Sequence, residues 1–314
     1  MILFLAGCFT LDAFLHNPVP CDTVGPATCE DKDSVWDQVC TPCETPYAWD
    51  RSYDWMDGTL ADGATIRPID PTAVQDADVE GSKGAVLDAY FIPAHGEHPE
   101  NSLVTLIYNH GNYAGIEHYM PRVRMAHEAG FNVFVWDYRG YGKTTPDSAP
   151  SAEVWFDDAQ RVRDAVDQWA PDPDKVLIYA NSLGGIPAVE MALHSPGCAL
   201  LFEAGFTSLE AITVSNSGVS FPDSMLSSGQ YDNIEKISEY TGPFMAMIGD
   251  ADATFRVQDT EQLVAEAGAS DDQKKLWVLP GVQHGLANGG VPEASFADWA
   301  AEIDAFLDET GACR

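Results

Sequence analysis

The sequence predicts an α/β fold, a mostly parallel central sheet with helices on both faces, on three observations. Short β-branched and aliphatic runs alternate with helix-like segments from about residue 85 onward, the pattern of repeated βαβ units. Several of these runs are apolar at nearly every position, as strands covered on both faces require. One run, Lys175-Val-Leu-Ile-Tyr-Ala-Asn-Ser182, halts at a serine, passes Gly184 and Gly185, and enters the helix-forming stretch Ala188 to His194.

Residues 1–7 read as a remnant of a signal peptide, 8–60 as a tether with a Cys-rich extension, and 61–314 as one α/β domain. Leu5-Ala6-Gly7-Cys8 resembles a bacterial lipoprotein box, which implies acylation of Cys8, anchoring to a membrane and a place in the bacterial cell envelope. The apolar run before it is too short to span a bilayer, which takes about 20 residues. Without Cys8, six cysteines remain, four of them within Cys21–Cys43. That Pro-, Asp- and Thr-rich stretch has little pattern from which to build a core, so disulfides are expected to staple it. Cys40-Thr-Pro-Cys43 has zinc-ligand spacing, but Cys21 and Cys29 stand too far apart to complete a zinc ribbon. Cys198 and Cys313 are expected to pair if the last helix returns to the sheet edge.

Within the domain, 63–67 and 85–92 read as early strands and 101–108 as a buried one. A helix over 118–129 ends at Gly130, and a strand follows over 131–136. Residues 151–170 carry an apolar face at helical spacing that includes Val154, Trp155, Val162 and Trp169. Strands over 175–181, 198–202, 244–248 and 275–279 and helices over 258–267 and 294–307 complete the alternation. The stretch 207–241 is the one candidate lid, although its apolar residues Phe221, Met225, Leu226 and Tyr231 equally suit a connecting helix.

The 314 residues carry 16 basic and 49 acidic side chains, a formal charge of -33. A surface of that sign repels nucleic acid, and its simplest reading is solubility in a saline medium. No His, Asp or Glu grouping has the spacing of a catalytic metal site, and no cofactor motif is present, so neither a metal nor a cofactor is expected.

In open α/β sheets, functional groups collect beyond the carboxyl ends of the strands. Polar, glycine-bearing segments stand at four such ends: His110-Gly-Asn112, Ser182, Gly249-Asp-Ala-Asp252 and Gly281-Val-Gln-His284. With these residues in view, the chain from about Val86 to Leu307 resembles a serine hydrolase of the α/β-hydrolase superfamily, in its compact esterase and lysophospholipase-like branch. The order Ser, Asp, His along the chain is the order of the triad in that fold. Ala180 replaces the first glycine of the usual Gly-x-Ser-x-Gly elbow and keeps the turn small.

The resemblance implies a nucleophile at Ser182, a general base at His284 and an orienting acid at Asp252. Asp250 in the same loop and Glu203 after the next strand are the rival acids. The backbone N–H groups of Leu183 and Asn112 are the expected oxyanion donors. His110 and the Asp137-Tyr-Arg-Gly-Tyr-Gly142 loop are read as bracing. The expected function is hydrolysis of an acyl ester of a small or single-chain substrate, a small-molecule or lipid-like acyl compound, through an acyl-enzyme. A thioesterase or peptidase would use the same triad, and a non-catalytic envelope binding protein on this fold is the remaining alternative. A serine at the elbow excludes dehalogenase chemistry, which requires a carboxylate there.

Overall fold

A computed structural model describes residues 21, 41, 43–53, 60, 62–145, 151–211, 231–285 and 290–314. Ten strands are assigned among them: β1 Gln75–Asp76, β2 Val79–Glu80, β3 Val86–Leu87, β4 Ala89–Ile92, β5 Thr105–Asn109, β6 Asn132–Trp136, β7 Val176–Asn181, β8 Ala199–Glu203, β9 Phe244–Gly249 and β10 Lys274–Leu279. Eight form one sheet in the order β1-β4-β6-β5-β7-β8-β9-β10, while β2 and β3 pair separately. From β6 to β10 every neighbouring pair is parallel, and β4 joins β6 antiparallel. The helices are α1 Ile116–Glu128, α2 Ala152–Val166, α3 Gly185–His194, α4 Asn233–Ile237, α5 Val257–Glu266, α6 Val291–Ala294 and α7 Phe296–Thr310.

Both faces of the central strands are apolar, and the alternation of side chains splits the core in two. Ile107, Phe134, Ile178, Leu200 and Ala246 face the layer of α2, α3 and α5. Leu106, Val133, Tyr179, Leu201 and Met245 face the layer of α1 and α7. This two-sided burial explains why the strands read as unbroken apolar runs. The expected α/β-hydrolase fold is the fold observed.

Several expectations require correction. Residues 63–67 form no strand: Ile66 is buried as a core residue, and its carbonyl accepts from Arg124 Nη2 at 3.0 Å. The strand expected from Asn101 starts at Thr105, because Asn101 leaves the sheet to donate to the Ala129 carbonyl at 3.0 Å. The short strands β1–β3 carry too few residues to show a period. Helix α2 starts with the apolar pattern at Ala152 but ends at Val166, while the pattern continues to Trp169 beyond it.

The break at residue 60 divides composition, not packing. Tyr47 and Trp49 are core residues, set edge-on to Tyr90 at 5.7 and 5.1 Å between ring centroids. Cys21 and Cys43 are joined, as are Cys198 and Cys313. The latter pair forms away from the sheet edge, since α7 returns to the start of β8, an interior strand. Cys8, Cys29 and Cys40 lie outside the described residues, as does the stretch 212–230 of the candidate lid. Of that stretch's flanks, Tyr231 is buried against Trp155 and Phe156, and α4 follows it. Among the described residues no helix is long and apolar enough to cross a membrane.

Candidate active site

The turn after β7 is set by two close approaches. A β-carbon on Gly184 would stand 2.8 Å from the His110 carbonyl oxygen and closer still to that of Asn109, at the end of β5. A β-carbon on Gly185 would enter the Phe202 ring of β8. Only glycine permits both approaches, so the chain turns directly from strand into helix. Ser182, at the apex, has φ of 53°, a left-handed conformation that costs a non-glycine residue about 1–2 kcal/mol. The turn holds its side chain in the mouth of the sheet, with 8% of the residue exposed.

His284 enters from the loop after β10, and its Nε2 stands 3.1 Å from Ser182 Oγ. Its Nδ1 stands 2.8 Å from Asp252 Oδ2. A carboxylate only accepts, so the proton of a neutral imidazole belongs on Nδ1, leaving Nε2 to accept from the serine hydroxyl. The Asp252 carboxylate is itself fixed: Oδ1 accepts the N–H groups of Thr254 at 2.7 Å and Phe255 at 2.9 Å. The Phe255 ring lies edge-on to the imidazole at 5.1 Å. The structure thus brings Ser182, His284 and Asp252 together from the ends of β7, β10 and β9.

The rival acids are engaged elsewhere. Asp250 Oδ1 accepts the Gly281 N–H at 2.6 Å, bracing the turn that leads to His284. Glu203, fully buried, accepts from Arg122 Nη1 at 2.8 Å and from the Tyr179 hydroxyl at 2.6 Å.

Leu183 lies in the 3-10 turn Ser182–Gly184 that runs into α3. N–H groups of an opening turn have no acceptor within the helix, and the helix dipole adds positive potential there. Asn112 lies in the loop between β5 and α1, which is held at four points. The Tyr141 hydroxyl donates to Asn112 Oδ1 and the Tyr138 hydroxyl to the His110 carbonyl, both at 2.7 Å. His110 Nδ1 lies 2.8 Å from the Gly111 carbonyl, and Asp137 Oδ1 accepts the Ile116 N–H at 2.8 Å. His110 is fully buried and stacks on Tyr138 at 4.0 Å. It braces the loop, as the sequence suggested.

The N-terminal extension is tied to the helix after that loop and to the 137–142 loop that braces it. Thr41 donates through its N–H and its hydroxyl to Glu117 in the first turn of α1, at 3.0 and 2.8 Å. The Cys21 N–H donates to the Gly142 carbonyl at 2.8 Å.

Sequence reading missed three features. Phe255 flanks the imidazole without any motif of its own. His118, a turn into α1, is buried against Tyr113, and burial pushes its imidazole down to about 3, so it is neutral. Arg122 and Glu293 form a buried ion network beneath the His284 loop. The Phe255 and Arg122 contacts join residues far apart in the chain, and no motif marks the burial of His118. Among the described residues no group of three or more His, Cys, Asp or Glu is placed to hold a metal ion.

The chain is similar to known proteins in sequence and in fold. Residues 101–217 match the family model described as serine aminopeptidase, S33. The uncharacterized protein Rv2307c of Mycobacterium tuberculosis is 30% identical over 231 residues, covering 72% of this chain and 76% of that one. The uncharacterized protein YfhR of Salmonella typhimurium is 28% identical over 224 residues, 67% of this chain and 75% of its own. In fold, the chain is similar to the Pyrococcus furiosus esterase Pf2001, with a TM-score of 0.63 at 15% identity over 81% of this chain and 98% of that one. XC6422 from Xanthomonas campestris, described as a serine hydrolase without lid, gives a TM-score of 0.55 at 18% identity over 77% and 97%. The chain therefore belongs to the family of Rv2307c, its residues 101–217 are similar to the serine aminopeptidase S33 family, and its fold is that of the α/β hydrolases.

Proposed function

We propose that the chain is a serine esterase acting on acyl esters of small or single-chain substrates. One observation carries this reading: the continuous chain of contacts from Ser182 Oγ to His284 Nε2 and from His284 Nδ1 to Asp252. The serine hydroxyl is too weak an acid to ionise alone, so His284 takes its proton as Oγ attacks the ester carbonyl. Asp252 holds the tautomer that makes Nε2 the acceptor and stabilises the imidazolium that forms. The Leu183 and Asn112 N–H groups receive the oxyanion, each worth roughly 3 kcal/mol in the transition state. Collapse of the tetrahedral species returns the proton from His284 to the leaving alkoxide and leaves an ester on Ser182. Water, deprotonated by His284, then releases the acid and restores the hydroxyl.

A panel of p-nitrophenyl esters of increasing acyl length tests the reading. Hydrolysis by the wild type that disappears in Ser182→Ala supports it; turnover unchanged in that variant refutes it. Aminoacyl amides belong in the same panel, because the family model's description favours a peptidase as the second reading. Preference for amides over the matching esters would select that reading.

We also propose an envelope location with Cys8 acylated. The Leu5-Ala6-Gly7-Cys8 sequence and the disulfides at Cys21–Cys43 and Cys198–Cys313 support it, since such bonds persist in oxidising compartments. Intact mass of the native protein should show a lipid on Cys8 and loss of residues 1–7; an intact Met1 argues against it.

A further inference from the structure

Arg122 stands outside the proton path, yet it meets the strand beside the nucleophile and the backbone that follows His284. The residue belongs to α1, the helix that follows the Asn112 loop. Its Nη1 donates to Glu203 Oε2 at 2.8 Å. Glu203 ends β8 and is paired in register with Asn181, the residue before Ser182. The other edge of the guanidinium meets Glu293 of α6 in a two-point fork, Nε to Oε1 at 2.6 Å and Nη2 to Oε2 at 2.8 Å. The side chains of all three residues are buried, with exposures of 1%, 0% and 4%.

The His284 loop lies against this fork. A β-carbon on Gly285 would sit 2.8 Å from Arg122 Nη2, and one on Gly290 closer still. One nitrogen of the guanidinium therefore limits how far inward Gly285 and Gly290 can move. Gly285 is at φ of 151°, which favours glycine and lets the backbone lie against the cation. Two buried carboxylates on one guanidinium leave an excess negative charge in a desolvated site. Burial accordingly raises Glu293 from its ordinary value, against the pull of Arg122. Replacing such a group by apolar side chains is often neutral or stabilising, so fold stability alone gives weak reason for it.

We infer that Arg122, clamped between Glu203 and Glu293, is a positioning residue that fixes the His284 loop relative to the Ser182 turn and the Asn112 loop. Three separate strand ends must present groups to one reacting carbonyl within a fraction of an ångström, and a misplacement of about 1 Å costs on the order of 100-fold in rate. A rigid fork between the helix of the oxyanion loop, the strand beside the nucleophile and the base loop supplies that registration. The cation touches no part of the triad and moves no proton.

The inference rests on the esterase reading for its kinetic test, so a second measurement independent of turnover accompanies it. Arg122→Lys keeps the charge and loses the fork; Glu293→Gln keeps the shape and loses one ion. With p-nitrophenyl butyrate, both should lower kcat by about 10- to 100-fold while KM changes less than threefold, since loss of positioning acts on the transition state. Hydrogen exchange of the His284 and Gly285 amides should quicken at least tenfold, with the β7 amides unchanged. Folded variants with kcat within twofold of wild type overturn the inference. So does faster exchange spread equally over β7, which marks general destabilisation. If the wild type hydrolyses no ester, the esterase reading fails instead, and the exchange pattern still decides whether Arg122 holds the loop.

Discussion

Replacing Gly184 by alanine probes how tightly the Ser182 turn is packed on the Asn112 loop. The added β-carbon would meet the carbonyl oxygens of Asn109 and His110, both under 3.0 Å, where ordinary contact begins at 3.4 Å. Both are backbone atoms, so no side-chain rotation relieves the overlap. Asn109 is further pinned, since its Oδ1 accepts from Trp136 Nε1 at 3.0 Å and its Nδ2 donates to the Tyr179 carbonyl at 3.1 Å. Relief therefore separates the Ser182 turn from the Asn112 loop by about 1 Å, a displacement worth on the order of 100-fold in kcat, or about 2.7 kcal/mol of barrier. Overpacking adds a stability loss of about 1–3 kcal/mol. Initial rates on a short p-nitrophenyl ester give the first quantity and urea unfolding the second. A Gly184→Ala variant with wild-type kcat and an unshifted midpoint would refute this account of the turn.

Three further outcomes follow from the geometry. Asp252→Asn should lower kcat by roughly 10⁴-fold, because an amide can donate to Nδ1 and favour the wrong imidazole tautomer, whereas Asp250→Asn should change it only a few-fold; equal losses would contradict the assignment. Cys198→Ser should cost about 5 kcal/mol in denaturant unfolding, as expected for opening a cross-link of 115 residues' separation; a change below 1 kcal/mol would show that the bond constrains little. Asp88 sits against Asp137, Asp78, Tyr90 and Lys143, and burial first, then the Asp137 charge, raises it to about 7. Its folded value exceeds the unfolded one, so its contribution is whole below pH 4 and is lost as pH rises through 7. Asp88→Asn should therefore stabilise the protein at pH 8, by on the order of 2 kcal/mol, and not at pH 4; equal midpoint shifts at both pH values would remove the explanation.

The parts legible in sequence are those where neighbouring residues carry the signal. Parallel strands buried on both faces print as apolar runs, and the strand-to-helix turn prints as Ser182 followed by two glycines. The resemblance to α/β hydrolases singles out Asp252 over Asp250, and the structure turns Asp250 toward Gly281. Glu203 was a plausible acid by chain position alone, and only the register of β8 on β7 and the reach of Arg122 reveal its engagement. The Arg122 network joins residues 122, 203 and 293, which no local pattern connects. Tyr47 and Trp49 also escaped, because a short aromatic pair in a Cys-rich segment carries no period from which burial can be read.

The most direct test of the central claim is labelling with a fluorophosphonate, followed by mass mapping of the modified peptide. The account predicts one adduct, on Ser182, absent in Ser182→Ala and formed at least 100-fold more slowly in His284→Ala. Labelling that persists in Ser182→Ala, or that maps to another residue, would contradict it.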